Sequence, residues 1–139
     1  MLQRIQTVWL FLAALFAALT YKFPFYAGNK LPLNPTGEQV KLVASSNFLV
    51  LIFTAGLVAG TIAIMFMYKN RKQQMWLTAT AAGLSIINII LYFNELKKFT
   101  SGNMSLTAVL ALAIPVFLLL AINGIWKDEK LVKSLDRLR

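Results

Sequence analysis

Residues 47–68 read NFLVLIFTAGLVAGTIAIMFMY, a stretch with no charged side chain and no proline. As a helix rising about 1.5 Å per residue it reaches about 33 Å, enough to cross a hydrocarbon layer of about 30 Å. Three further apolar runs, Ile5–Tyr21, Met75–Asn94 and Ser105–Trp126, repeat the theme, and the segments between them hold nearly all the charge. The pattern predicts an all-α protein, an integral membrane four-helix bundle forming one domain over residues 1–139. Its spans are expected at about 5–22, 47–68, 75–95 and 105–126, with an outer loop at 23–46 and a cytoplasmic tail at 127–139.

Composition narrows the chemistry. The chain is 58% apolar with a mean hydropathy of +0.66, above the range of soluble globular domains. It has no cysteine and no histidine, which removes disulfides, thiol chemistry and His- or Cys-based metal sites. The carboxylates are Glu38, Glu95, Asp128, Glu129 and Asp136, and none falls in the middle of an apolar run. Proteases, metal transporters and proton-relay pumps place ionisable groups inside the bilayer. No catalytic residue, metal ligand or cofactor is therefore expected. The net charge of +9 fits anionic lipid headgroups at span ends better than nucleic acid, because no basic face with interleaved aromatics accompanies it.

The basic residues also orient the chain. With four spans both termini share a side, which holds Arg4, Lys69, Arg71, Lys72, Lys127, Lys130, Lys133, Arg137 and Arg139. The opposite side holds Lys22, Lys30, Lys41, Lys97 and Lys98. The positive-inside rule assigns the richer side to the cytoplasm. Trp9, Trp76 and Trp126 all fall towards that side, while Tyr21, Phe23, Phe25, Tyr26, Tyr92 and Phe99 are expected to form the aromatic belt opposite. Run one lacks a clean cleavage site and reads as a retained signal-anchor helix rather than a removed signal peptide.

Lipid gives helices no hydrophobic reason to associate, so small residues and hydrogen bonds must hold the bundle. Gly56 and Gly60, flanked by Ala55, Ala59 and Ala63, form a GxxxG seam expected to pack within the chain, with a homodimer or partner face as the alternative. Run one offers Ala13, Ala14, Ala17 and Ala18, and run three Ala79, Ala82 and Gly83. Asn88 lies too deep in run three to be satisfied by its own backbone and is expected to bond across helices. Pro115 should kink the fourth helix.

The outer loop carries three prolines, a turn at Asn34–Glu38, and Phe23, Phe25 and Tyr26 to hold it at the membrane surface. Residues 97–104 read as a short helix-to-helix turn. In the tail, Leu131, Leu135 and Leu138 fall at i, i+4, i+7 and Glu129 pairs with Lys133 at i+4, giving a short amphipathic C-terminal helix that continues the fourth and either rests on the membrane surface or docks a cytoplasmic partner. Arg71 is positioned to fork onto Asp128 or Glu129.

The stretches MLQRIQTVWL (1–10), YKNRKQQ (68–74) and KDEKLVKSLDRLR (127–139) together resemble a family of small four-span bacterial inner-membrane proteins known only as a domain of unknown function. The resemblance implies a bacterial cytoplasmic membrane and carries no catalytic residues. Its motifs all fall on the side assigned to the cytoplasm.

The function expected is a non-catalytic inner-membrane scaffold or accessory subunit. It would meet membrane lipid and dock a protein partner or a second copy, through Arg4, Gln6, Asn70, Arg71, Gln74, Leu131, Leu135 and Leu138. A small oligomeric transporter or channel is the alternative, and a lipid-acting membrane enzyme the third.

Overall fold

The computed structural model describes residues 2–30, 39–67 and 69–138. Four helices dominate: α1 (Leu2–Leu19), α2 (Phe48–Phe66), α3 (Arg71–Leu96) and α4 (Ala108–Asp136). Helix α1 packs on α2 and α4, and α3 packs on α2 and α4, so neighbours in sequence close a ring. The bundle therefore has two ends. One holds the start of α1, the α2–α3 turn and the far half of α4; the other holds both longer connections.

Burial follows a strict rhythm. In α2 it falls on Val50, Thr54, Leu57, Thr61 and Ile64, and along α1 on Gln6, Leu10, Ala13 and Ala17, continuing to Thr20 just past its end, with Ala14 buried beside Ala13. Helix α4 buries Ala108, Ala111, Ile114, Leu118, Ala121 and Ile125. Apart from the first step of α4, these steps alternate between four and three, the heptad spacing of helices that wrap around one another with a left-handed twist. Ala13, Ala17 and Ala121 are fully covered and share a cluster with Leu10, Leu57, Ile114 and Leu118. Small side chains there let α1 and α4 approach closely.

The same rhythm displaces the expected glycine seam. Leu57 and Thr61 take the inward positions of α2, which turns Gly56 and Gly60 about 100° away. A Cβ built on either glycine meets nothing within 4 Å, and Ala55, Ala59 and Ala63 are exposed beside them. The GxxxG face thus points out of the chain rather than into its packing. On α3, Ala82 is buried as expected, but Ala79 and Gly83 are exposed and Ala81 takes the inward place. On α1, Ala18 is likewise exposed. The glycine that does govern packing is Gly124 on α4, where an added Cβ would lie 2.8 Å from Gln6 Cγ.

At the other end a small sheet closes the bundle. Strands β1 (Tyr26–Lys30), β2 (Val40–Leu42) and β3 (Phe99–Met104) pair antiparallel in the order β2-β1-β3. Residues 97–104 are therefore largely a strand, not a simple helix-to-helix turn. Gly28 faces Gly102 across β1 and β3. A Cβ on Gly28 would fall 2.2 Å from the Ser101 carbonyl oxygen, and one on Gly102 2.5 Å from that of Ala27. No larger residue lets the strands meet so closely. The turn expected at Asn34–Glu38 lies outside the described residues.

A further expectation changes. Phe25 and Tyr92 do not join an aromatic belt: both are buried, with rings stacked 4.6 Å apart. Phe25 is the plug under the sheet. The tail continues the fourth helix as expected: α4 passes through Pro115 and runs unbroken to Asp136. At 29 residues it is about 43 Å long, well beyond one hydrocarbon thickness.

Substitutions at the two kinds of glycine should separate. Gly124→Leu forces Gln6 aside and is expected to cost the 1–3 kcal/mol typical of overpacking. Gly56→Leu should stay within about 0.5 kcal/mol, as for other substitutions on an open surface. Melting curves of the two variants in the same detergent check the difference.

Candidate functional site

The end of the bundle that carries the α2–α3 turn is built from side chains closing each other's helices. The last turn of α2 is tightened by the Met67 N–H, which donates to Ile64 O at 3.1 Å, and Gln74 Nε2 donates to the same carbonyl at 3.2 Å. The backbone N–H of Gln74 donates to Asn70 O at 2.9 Å, so the turn is pinned from both sides. Arg71 Nη1 lies 3.3 Å from Asp128 Oδ2 on α4. It is an ionic contact through one nitrogen without hydrogen-bond alignment, not the two-pronged fork the spacing suggests. Glu129 accepts Lys133 Nζ at 2.8 Å, and that contact, aided by Lys72 and Arg71, holds its carboxyl below the usual carboxylate range. Lys130 Nζ sits 5.6 Å from the centre of the Trp126 ring.

The residues expected to form a partner-facing surface therefore divide. Gln6 and Gln74 are buried. Both lie at the ends of apolar runs, where a polar residue reads as surface, yet Gln6 is in step with Leu10 and Ala13, and Gln74 with Thr78 and Ala81. Gln6 packs on Gly124 with its Nε2 unpaired, so neither side chain is available to a partner. Asn70 is exposed and donates through Nδ2 to Gln73 Oε1 at 3.1 Å. The Arg4 side chain lies outside the described part of the chain. Leu131, Leu135 and Leu138 are 49%, 65% and 85% exposed, with Val132 beside them.

Trp76 and Trp126 are both exposed at this end, whereas Trp9 is half-buried and stacked on Phe117 of α4.

The interior holds a feature that spacing alone could have revealed. The buried line of α3 is Gln74, Thr78, Ala81, Ser85, Asn88, Tyr92 and Glu95, again by fours and threes, and six of the seven are polar. Its apolar residues, among them Leu84, Ile86, Ile87, Ile90 and Phe93, face outward. Thr78 and Ser85 donate to carbonyls of their own helix, Gln74 O and Ala82 O, each at 2.7 Å. Asn88 Nδ2 donates to Thr54 Oγ1 on α2 at 3.1 Å, while Asn88 Oδ1 and the Tyr92 hydroxyl make no bond of good geometry. Glu95, at the sheet end, accepts Asn47 Nδ2 at 2.5 Å and Lys98 Nζ at 2.7 Å through one oxygen. A carboxylate, an ammonium and the residue capping α2 thus lock α2 to α3.

A helix with a polar inner line and an apolar outer face is built for a surrounding that is itself apolar. Three helices (Phe48–Phe66, Arg71–Leu96 and Ala108–Asp136) are long and apolar enough to cross a membrane, and Ile5–Leu19 forms a shorter apolar helix beside them. The fold defines a helical membrane protein. Over residues 2–138 the sequence matches the family described as a domain of unknown function (DUF4293), and the chain belongs to that family. No curated protein and no solved structure matches it.

The Thr54–Asn88 bond gives a direct test of the inner polar line. Thr54→Val and Asn88→Leu should couple in a double-mutant cycle by about 0.6 kcal/mol, the average for such bonds between membrane helices. Tyr92→Phe removes a hydroxyl with no well-aligned partner and should cost less than Asn88→Leu. Unfolding titrations in mixed micelles measure both.

Proposed function

We propose that this chain is a non-catalytic scaffold or accessory subunit of a bacterial inner membrane, crossing it four times with both termini in the cytoplasm. The observation that carries the reading is the far end of α4. From Lys130 to Leu138 every residue is exposed, and Leu131, Leu135 and Leu138 form an apolar line that the chain leaves uncovered. An amphipathic helix presenting anchors at i, i+4 and i+7 suits a groove on a partner protein. The Arg71–Asp128 contact supports the idea by fixing the base of that helix to the α2–α3 turn. Within the membrane, the outward Gly56 and Gly60 face offers a partner helix or a second copy a place of close approach.

A small transporter is the second reading, favoured by the polar inner line of α3. Against it, the Thr78 and Ser85 hydroxyls of that line are bonded to their own helix and packed, and its carboxylate, Glu95, is tied up by Lys98 and Asn47 at the sheet end.

Replacing Leu131, Leu135 and Leu138 together with Ser should release a cytoplasmic partner while leaving membrane insertion intact. Co-purification in gentle detergent, compared between wild type and variant, reads the loss. If every partner of the wild-type chain stays bound, the tail is a membrane-surface helix and no docking element. Orientation is tested separately in this cysteine-free chain. A cysteine introduced at Asn70 should resist an impermeant label added outside intact cells, and its labelling would reverse the topology.

A further inference from the structure

Next to the α2–α3 turn the bundle surface opens into a groove of about 590 Å³, lined by Met67, Lys72, Gln73, Trp76 and Leu77. Its walls are overwhelmingly apolar, and Trp76 is 65% exposed beside it. The volume falls in the range of small-molecule and cofactor sites. At the polar rim stands Lys72, on the first turn of α3.

The charge at that rim is only partly compensated. Arg71 next door is engaged by Asp128, and Glu129, which feels Lys72 at longer range, accepts Lys133 at 2.8 Å. Among the described residues Lys72 makes no ion pair of its own, and Lys69 stands exposed three residues away. Asn70 places no side-chain cap on the first N–H groups of α3, so the helix dipole adds a weaker pull of the same sign. Two smaller grooves on α4 are lined differently: in one Lys133 is paired to Glu129, and both share Lys130, which lies over Trp126. A site with an exposed, ion-pair-free lysine at its rim, an exposed indole and apolar walls matches one chemistry. The occupant is anionic at one end and aliphatic at the other.

We infer that the Met67–Leu77 groove binds one anionic phospholipid, its headgroup at Lys72 and Gln73 and an acyl chain along Met67, Trp76 and Leu77. A zwitterionic lipid carries a compensating ammonium that Lys72 repels, so selectivity for the anionic headgroup rests on this lysine. A tryptophan against an acyl chain and a lysine against a headgroup both make the site readable. The inference is independent of what the α4 tail docks.

The test uses the full chain reconstituted in phosphatidylcholine vesicles. A small fraction of the lipid carries brominated acyl chains, on either phosphatidylglycerol or phosphatidylcholine. Quenching at Trp76 is taken as the difference between wild type and Trp76→Phe. Brominated phosphatidylglycerol should quench Trp76 at about a fivefold lower mole fraction than brominated phosphatidylcholine, the advantage one lysine gives near an anionic surface. Lys72→Glu should abolish that preference, and Lys22→Glu, at the sheet end, should leave it. Equal quenching by the two lipids would mean a merely annular contact and would overturn the proposal, as would a preference that survives Lys72→Glu. Relief of quenching by soluble glycerol phosphate would assign the rim to free phosphate and equally exclude the lipid. Quenching that never appears would show the groove filled by protein, whether a second copy or a partner.

Discussion

Hydrocarbon offers no hydrogen bonds, and the rest of the structure depends on how α3 meets that constraint. Thr78, Ser85, Asn88, Tyr92 and Glu95 turn inward along one line, beside a carbonyl, a hydroxyl or another helix, and most of its large apolar side chains turn out; Thr80, which faces out, bonds back to Leu77 O. A bundle in water reverses this arrangement. The inner line is held by modest forces: Thr and Ser bonds back to their own helix, one Asn88–Thr54 bond to α2, and the Glu95–Asn47 contact near the sheet. None is worth much alone. Together they fix the rotation of α3, because turning it by one position would push Asn88 and Glu95 towards lipid.

The remaining helices supply shape rather than polarity. Ala13, Ala17 and Ala121 allow α1 and α4 to come close, and Gln6 settles into the space that Gly124 leaves. Phe25 closes the bundle from above by stacking on Tyr92. The end with the α2–α3 turn is closed by side chains of another kind, with Gln74 serving α2 and Arg71 reaching α4. The two ends thus use different chemistry. One is capped by aromatic rings and strands beside the Glu95–Lys98 pair, the other by amides and charges, and the second leaves an apolar line of α4 uncovered.

Much of this was legible in the sequence. The four apolar runs gave the helices, and the i, i+4 relation gave the Glu129–Lys133 pair. What misled was reading residues by type instead of by phase. Gly56 and Gly60 look like a packing seam until they are counted against Leu57 and Thr61, which take the inward positions. Gln6 and Gln74 look like surface until they are counted against Leu10 and Thr78. The sheet was hidden for another reason. Its strands are short, β3 reads FTSGNM with no alternation, and its partner lies some seventy residues earlier in the chain; pairing of that kind leaves no local signature. Tyr92 and Phe25 were misplaced because an aromatic near a span end is usually interfacial, and here the plug of the bundle sits at that depth.

The order of strands in the sheet has a consequence for how the protein is made. Strands β1 and β2 belong to the connection between the first two helices, while β3 follows the third. A chain made from its N-terminus therefore completes β1 long before β3 exists. During that interval the edge of β1 that will receive β3 stays open, and an open edge is a template for any extended strand nearby. Only when α3 has been made and has brought Gly102 to Gly28 does the edge close. The meeting of those two glycines is thus a late event: it needs the first three helices already in their packed order.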